Sequence, residues 1–160
     1  MSRTVHAVEM ILYYRPNCPF CRLMDKLVRQ VLSTFRDLSC NVSYTKVSVD
    51  TDFPYFNPLP EIARDINRGE YFINIGREAK TEKPWHVPEE IIEYAHKRIE
   101  VPVLEIRVHT ARRGCDKFYI YGFGVPLATG EQLEEAFGKM EKLFLVNLVS
   151  LLKVFVSGMK

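Results

Sequence analysis

The heptapeptide Arg15-Pro16-Asn17-Cys18-Pro19-Phe20-Cys21 constrains this chain more than any other stretch, because two different hydrophobic periods meet there. Before it, His6 to Tyr14 reads as a strand, with Val8, Met10, Ile11 and Leu12 supplying a mostly buried run. After it, Leu23, Leu27, Val31, Phe35 and Leu38 recur at helical spacing and predict a helix from about Cys18 to Leu38. Pro19 suits the first turn of that helix, where a missing N–H leaves no hydrogen bond unmade. Val42 to Val49 then returns to a β pattern rich in branched residues. Strand, helix and strand in quick succession make a βαβ unit, so the first two strands should run parallel.

A Cys-x-x-Cys at such a junction has a chemical reading. The N-terminus of a helix presents unpaired N–H groups and the positive end of its dipole, which favour a thiolate. Cys18 occupies that position, and Arg15, a few residues earlier, adds positive charge. Its pKa is therefore expected below the ~8.5 of a free thiol. Cys21 lies three residues on, deeper on the same face. Thiol–disulfide exchange needs one thiolate to attack and a second thiol to release the mixed disulfide, and these two cysteines fit those roles.

The remaining chain is read in order. Pro54, Pro58, Pro60 and Pro84 punctuate a segment from about 51 to 85, within which Glu61 to Asn67 is a short helix and Tyr71 to Ile75 a small extra strand. Val87-Pro88-Glu89-Glu90 opens a helix to about Arg98. Val101 to Val108 is a strand that begins at a proline, a position where strands tolerate one. A polar turn, Thr110 to Asp116, leads to a further strand, Lys117 to Phe123, and the short connection predicts an antiparallel hairpin. A last helix begins near Thr129-Gly130-Glu131. Its main apolar stripe is Leu133, Phe137, Met140, Phe144, Leu148, Leu151 and Phe155. A second stripe, Leu145, Val149, Leu152 and Val156, needs cover of its own, from the inserted segment or from a second copy in a homodimer.

This order of elements resembles the thioredoxin-like superfamily. The stretch around Cys18 is similar to glutaredoxins, which commonly carry Lys-Pro-x-Cys-Pro-[Tyr/Phe]-Cys. The closing Gly124-Val125-Pro126-Leu127 and Thr129-Gly130-Glu131-Gln132-Leu133 look more like thioredoxins. The resemblance covers His6 to Asp50 and Glu89 to Met140. It implies one α/β domain over residues 1–160: a central mixed four-stranded sheet flanked by helices, an insertion at about 51–85, and an extended C-terminal helix at about 130–157. It also implies that Pro102 is cis and faces the cysteines, turning the Val101 backbone toward them. Cys18 and Cys21 are then the catalytic pair, with Arg15, Pro19, Phe20, Val101 and Pro102 supporting the substrate. Three departures stand out. Leu12 takes the place of a buried acid, Asn17 that of a tryptophan, and Glu100 that of a threonine before the proline. The charge of Glu100 argues against glutathione. Gly114-Cys115-Asp116 echoes a glutaredoxin ligand motif, but a strand follows it, so it reads as the hairpin turn.

Composition narrows the alternatives. With 160 residues, 47% hydrophobic, 26% charged and a net charge of +2, the chain is an ordinary globular one with no basic surplus for nucleic acid. The early apolar run is broken by His6 and Glu9, which argues against a signal peptide. The stretch Leu143 to Val156 is 14 residues and carries Asn147, Ser150 and Lys153, short of the ~20 apolar residues of a membrane span. A cytoplasmic protein is the expectation. A zinc site would need close ligand pairs, whereas Cys40 and Cys115 are single and distant and His6, His86, His96 and His109 follow no metal spacing. No metal and no cofactor are expected. An iron–sulfur cluster shared through Cys18 and a Cys40–Cys115 disulfide are the minor alternatives. The functional expectation is a thiol–disulfide oxidoreductase whose partners are a protein or small-molecule disulfide and an unidentified reductant. The competing class is a non-catalytic binding module of the same fold, assembling through its last helix.

Overall fold

The computed structural model describes residues 5–35, 41–49, 58–68, 71–75, 90, 99–110, 114–122 and 131–157. In chain order the elements are β1 (Val5–Tyr14), α1 (Pro19–Phe35), β2 (Val42–Ser48), α2 (Leu59–Asn67), β3 (Tyr71–Asn74), β4 (Val103–Thr110), β5 (Gly114–Tyr121) and a last helix, here α3 (Glu131–Ser157). The five strands form one mixed sheet in the order β2-β1-β4-β5-β3. β1 pairs parallel with β2, as the βαβ reading requires, and antiparallel with β4 on its other side. Its central place explains its apolar run, since a strand with neighbours on both sides and helices on both faces has little surface to give to water.

The sheet has one strand more than the four expected. The extra strand in the proline-punctuated segment is real and joins the main sheet, with Tyr71 to Asn74 running parallel to Phe118 to Tyr121. Without β3, β5 would have left a row of backbone donors and acceptors unpaired, and β3 supplies their partners. The hairpin is also tighter than its polar composition suggests. Pairing continues to Thr110↔Gly114 and includes His109↔Cys115 and Val108↔Asp116, so Cys115 and Asp116 are strand residues and not turn residues. Gly114 sits at φ 78, a conformation that glycine adopts without steric cost.

Two cores lie on the two faces of the sheet. On one, Val8, Met10 and Leu12 of β1 and Leu104, Ile106 and Val108 of β4 pack under α1 and α3. The buried face of α1 centres on Met24, Leu27, Val28 and Val31, turned slightly from the expected stripe, and Leu23 is only half-buried. From α3 come Met140, Phe144, Leu148, Leu152 and Phe155. Leu145, Val149 and Leu151 are half-buried against the same cluster, so the second stripe finds much of its cover within the chain. Val146 and Val154 remain exposed. The exchange of Leu151 for Leu152 reflects the drift of a 3.6-residue helix along a long contact.

The other face holds Ile11, Tyr13, Val103, Tyr119 and Tyr121 under Leu59, Ile62 and Ile66 of α2. A polar network runs through it. Glu105, 2% exposed, accepts from the Tyr13 hydroxyl at 3.4 Å and from Arg107 Nε. Tyr119 donates to Asp65 Oδ2 of α2 at 2.6 Å. Burial and the neighbouring Glu105 charge push the Tyr13 pKa up to about 12, so its phenol stays a donor at neutral pH. Pro60 lies in the first turn of α2, as its sequence position suggested. Apart from Glu90, the helix expected to open at Val87-Pro88-Glu89-Glu90 and run to about Arg98 lies outside the described residues, as do Trp85, Cys40 and the Gly124–Gly130 turn. Among the described residues no helix is long and apolar enough to cross a membrane.

Candidate active site

At the C-terminal end of β1 the chain turns through Arg15, Pro16 and Asn17 into α1. Asn17 has φ 63, a left-handed conformation that asparagine adopts more readily than most residues. This bend places Cys18 immediately before the first helical residue, Pro19. The Cys21 backbone N–H donates to Cys18 Sγ at 3.1 Å, so the Cys18 sulfur does for α1 what a serine or aspartate oxygen does at an ordinary N-cap. The Arg22 N–H closes the first α-helical bond onto the Cys18 carbonyl at 3.2 Å.

The two cysteines lie at disulfide distance, their Cα atoms 5.2 Å apart. Their environments differ. Cys18 is partly exposed, whereas Cys21 is 2% exposed and belongs to the buried face of the helix. Pro19 is exposed at the first position of α1, and Phe20 is half-buried against the core beneath.

The segment entering β4 approaches the turn that precedes Cys18. The Val101–Pro102 bond is cis. Pro102 is buried, and Val103 pairs with Tyr13, so the segment lies beside the last residues of β1. An ion pair between Arg15 and Glu100, at 2.5 Å, joins that segment to the turn. Glu100 Oε1 also accepts the Val101 N–H at 3.2 Å. Two sequence expectations are modified by this. Part of the Arg15 charge is committed to Glu100 instead of the cysteines, and the Val101 N–H already has an intramolecular acceptor.

A cavity of about 210 Å³ opens beside Cys21, between β1, the turn, α1 and β2. Leu12 and Tyr14 line it from β1, and Arg15, Pro16 and Asn17 from the turn. Arg22, Asp25 and Lys46 complete it, three residues that sequence reasoning did not connect with the site. The signal for two of them was present. Asp25 follows Cys21 by four residues and so shares its helical face, and Lys46 shares the β2 face of Tyr44. Their meeting was not readable, because the βαβ crossover that superposes α1 on β2 is a tertiary fact.

Asp25 is thoroughly engaged. Its Oδ1 accepts from the Tyr44 hydroxyl at 2.7 Å and from Arg29 Nε at 3.1 Å, and Lys46 Nζ lies 3.5 Å from Oδ2. Burial pushes its pKa up, but the bonds from Tyr44 and Arg29 and the charge of Lys46 outweigh that and hold it below the usual carboxylate value. Lys46 is also 5.1 Å from the centre of the Tyr14 ring. Thus a carboxylate lines the same space as the buried cysteine, beside Leu12, which is fully buried and apolar.

Other cysteine readings separate by register. Thr110 and Gly114 pair at the end of the sheet where β1 begins, and Cys18 follows the end where β1 finishes. Cys115, exposed and unpaired, is therefore remote from Cys18. Among the described residues no three His, Cys, Asp or Glu side chains converge as a metal site. The chain matches no protein-family model, no curated protein and no solved structure.

Proposed function

We propose that this chain is a thiol–disulfide oxidoreductase of thioredoxin-like fold, with Cys18 as the attacking and Cys21 as the resolving cysteine. One observation carries the reading. A partly exposed Cys18 sulfur accepts the Cys21 N–H at the start of α1, while Cys21, at disulfide distance, is buried behind it. A sulfur that receives a helix N-terminal N–H is stabilised as a thiolate, and the one facing solvent is the one a substrate can reach.

In the reduced protein the Cys18 thiolate attacks one sulfur of a substrate disulfide R–S–S–R′. The Cys18–S–R bond forms, the S–S bond breaks, and R′S⁻ leaves to take a proton from water. Cys21 then gives up its proton, attacks Cys18 Sγ and expels RS⁻. Two electrons pass from the dithiol to the substrate, leaving two substrate thiols and the Cys18–Cys21 disulfide. An external thiol or dithiol reductant reverses these bonds to complete the cycle. On this reading the Val101–Pro102 segment and the Arg15 turn support the substrate, with Pro19 and Phe20 at the helix end.

The test is trapping. Cys21→Ser incubated with a disulfide-bonded protein should accumulate a mixed disulfide through Cys18, seen by non-reducing electrophoresis and mass spectrometry. Cys18→Ser should be inert. Alkylation of Cys18 against pH separates this reading from a binding module of the same fold. A pKa well under ~8.5 supports catalysis, and an unshifted thiol that traps nothing sinks it.

A further inference from the structure

The charged groups around the cavity beside Cys21 do not cancel. Arg15, Arg22 and Lys46 face it with Asp25 as the sole carboxylate among its lining residues. Asp25 and Lys46 are committed to each other, and the remaining capacity of Asp25 is filled by Tyr44 and Arg29. Two guanidinium groups are left. One terminal nitrogen of Arg15 holds Glu100, which does not line the cavity, while Arg15 Nε is buried with no hydrogen-bond acceptor among the described residues. Arg22, one position after Cys21 and exposed, makes no ion pair among the described residues. A buried guanidinium N–H without an acceptor is costly, and an acceptor arriving with a ligand removes that cost.

The unspent donors specify an anion. A guanidinium presents a planar fork of N–H groups matched to a carboxylate. The anion that an organic disulfide commonly carries within a few bonds of its sulfurs is a carboxylate, as in thio-acid and amino-acid disulfides. The cavity, about 210 Å³, has room for a carboxylate on a short chain. The cavity also reaches Cys21 itself, so a carboxylate seated there lies a few bonds from sulfurs reacting at Cys18.

We propose that this cavity, through Arg22 and Arg15 Nε, receives a carboxylate carried close to the disulfide of the substrate, so that the protein selects anionic disulfides. The proposal rests on the oxidoreductase reading and names the substrate class for that site. The carboxylate has two sources, a small acid disulfide or an acidic residue next to a cysteine in a polypeptide.

The experiment measures the second-order rate constant for oxidation of the pre-reduced full-length protein. Three small disulfides serve as probes: 3,3′-dithiodipropionate (anionic), 2-hydroxyethyl disulfide (neutral) and cystamine (cationic). A pair of peptide disulfides differing only in Glu or Gln beside the cysteine forms the second arm. Wild type should prefer the anionic over the neutral probe by about three- to fivefold, the size expected for one solvent-facing carboxylate–guanidinium contact, and should disfavour the cationic one. The anionic-to-neutral ratio should shrink as salt rises from about 20 to about 500 mM, since exposed charges are screened over that range. Arg22→Gln should bring the ratio near one, and Arg22→Lys should restore part of it. A preference confined to the Glu peptide assigns the carboxylate to a polypeptide, and one shared by dithiodipropionate assigns it to small disulfides as well. Oxidation by all three probes at rates within twofold overturns the proposal and leaves the oxidoreductase reading standing. So does a preference that survives both salt and Arg22→Gln. No oxidation by any disulfide overturns the oxidoreductase reading and the proposal together.

Discussion

Tyr44→Phe isolates the clamp that ties β2 to α1 beside the cysteines. The substitution keeps the ring and removes only the hydroxyl that donates to Asp25 Oδ1 at 2.7 Å. A hydrogen bond to an ionised acceptor contributes roughly 1.5–3 kcal/mol. The Asp25 side chain is 20% exposed and retains Arg29 and Lys46, so the lower end applies. The expected loss at pH 7 is about 1.5 kcal/mol, or about 3–6 °C in Tm for a domain of this size. The sign with pH follows from Asp25. Its folded pKa lies below the ordinary 3.8, so the stability it contributes is fully present above that value and is lost as pH falls through the lower folded pKa. Tyr44 stays protonated throughout, because burial and then its bond to Asp25 raise its pKa above 10. Once Asp25 is protonated, the bond it shares with Tyr44 becomes neutral and is worth roughly 0.5–1.5 kcal/mol. Urea unfolding of the reduced protein at pH 7 and pH 3 should therefore give a smaller penalty at pH 3, with an unchanged slope. In an Asp25→Asn background Tyr44→Phe should cost about half as much or less. An equal penalty at both pH values, or none at pH 7, would refute the clamp.

Two further outcomes test the frame around the site. Cys18→Ala should be about 1 kcal/mol less stable than Cys18→Ser when both are compared under reductant, because only serine keeps an acceptor for the Cys21 N–H; equal midpoints would remove the capping role. Phe144→Ala, at a fully buried position, should cost about 3–5 kcal/mol in chemical denaturation, whereas Val146→Ala, at 55% exposure, should stay within about 0.5 kcal/mol. The reverse order would mean that α3 meets the sheet through its other face.

Much of the frame was legible because it rests on local periods. The switch from an apolar strand to a 3.6-residue stripe at Cys18 placed β1 and α1, and β-branched residues placed β2. The stripe of Met140, Phe144, Leu148 and Phe155 marked the core face of α3. β3 was visible as a short strand but not as a fifth member of the sheet. Its four residues carry nothing that names β5 as their neighbour, and that choice is made by the edge β5 presents. The end of the hairpin is not legible in the sequence, because polar residues at an exposed hairpin end read like a turn although their backbones pair.

The cysteine site divides along the same line. The sequence alone determined that two thiols share one helical turn at a helix N-terminus, with a proline fitted to its first position. Those are matters of spacing and local backbone chemistry. Only the tertiary structure decided how their surroundings are charged. It brought Glu100 to Arg15, Lys46 and Tyr44 to Asp25, and Arg22 to a cavity that Leu12 and Tyr14 also line. Arg15 and Glu100 are far apart in the chain and Asp25 and Lys46 lie on different elements, so no local pattern encodes their pairing. Pairing across the sheet and the helix crossover bring them within a few ångströms, where charge interactions become strong. The thiols are written in the chain; what stands around them is set by the fold.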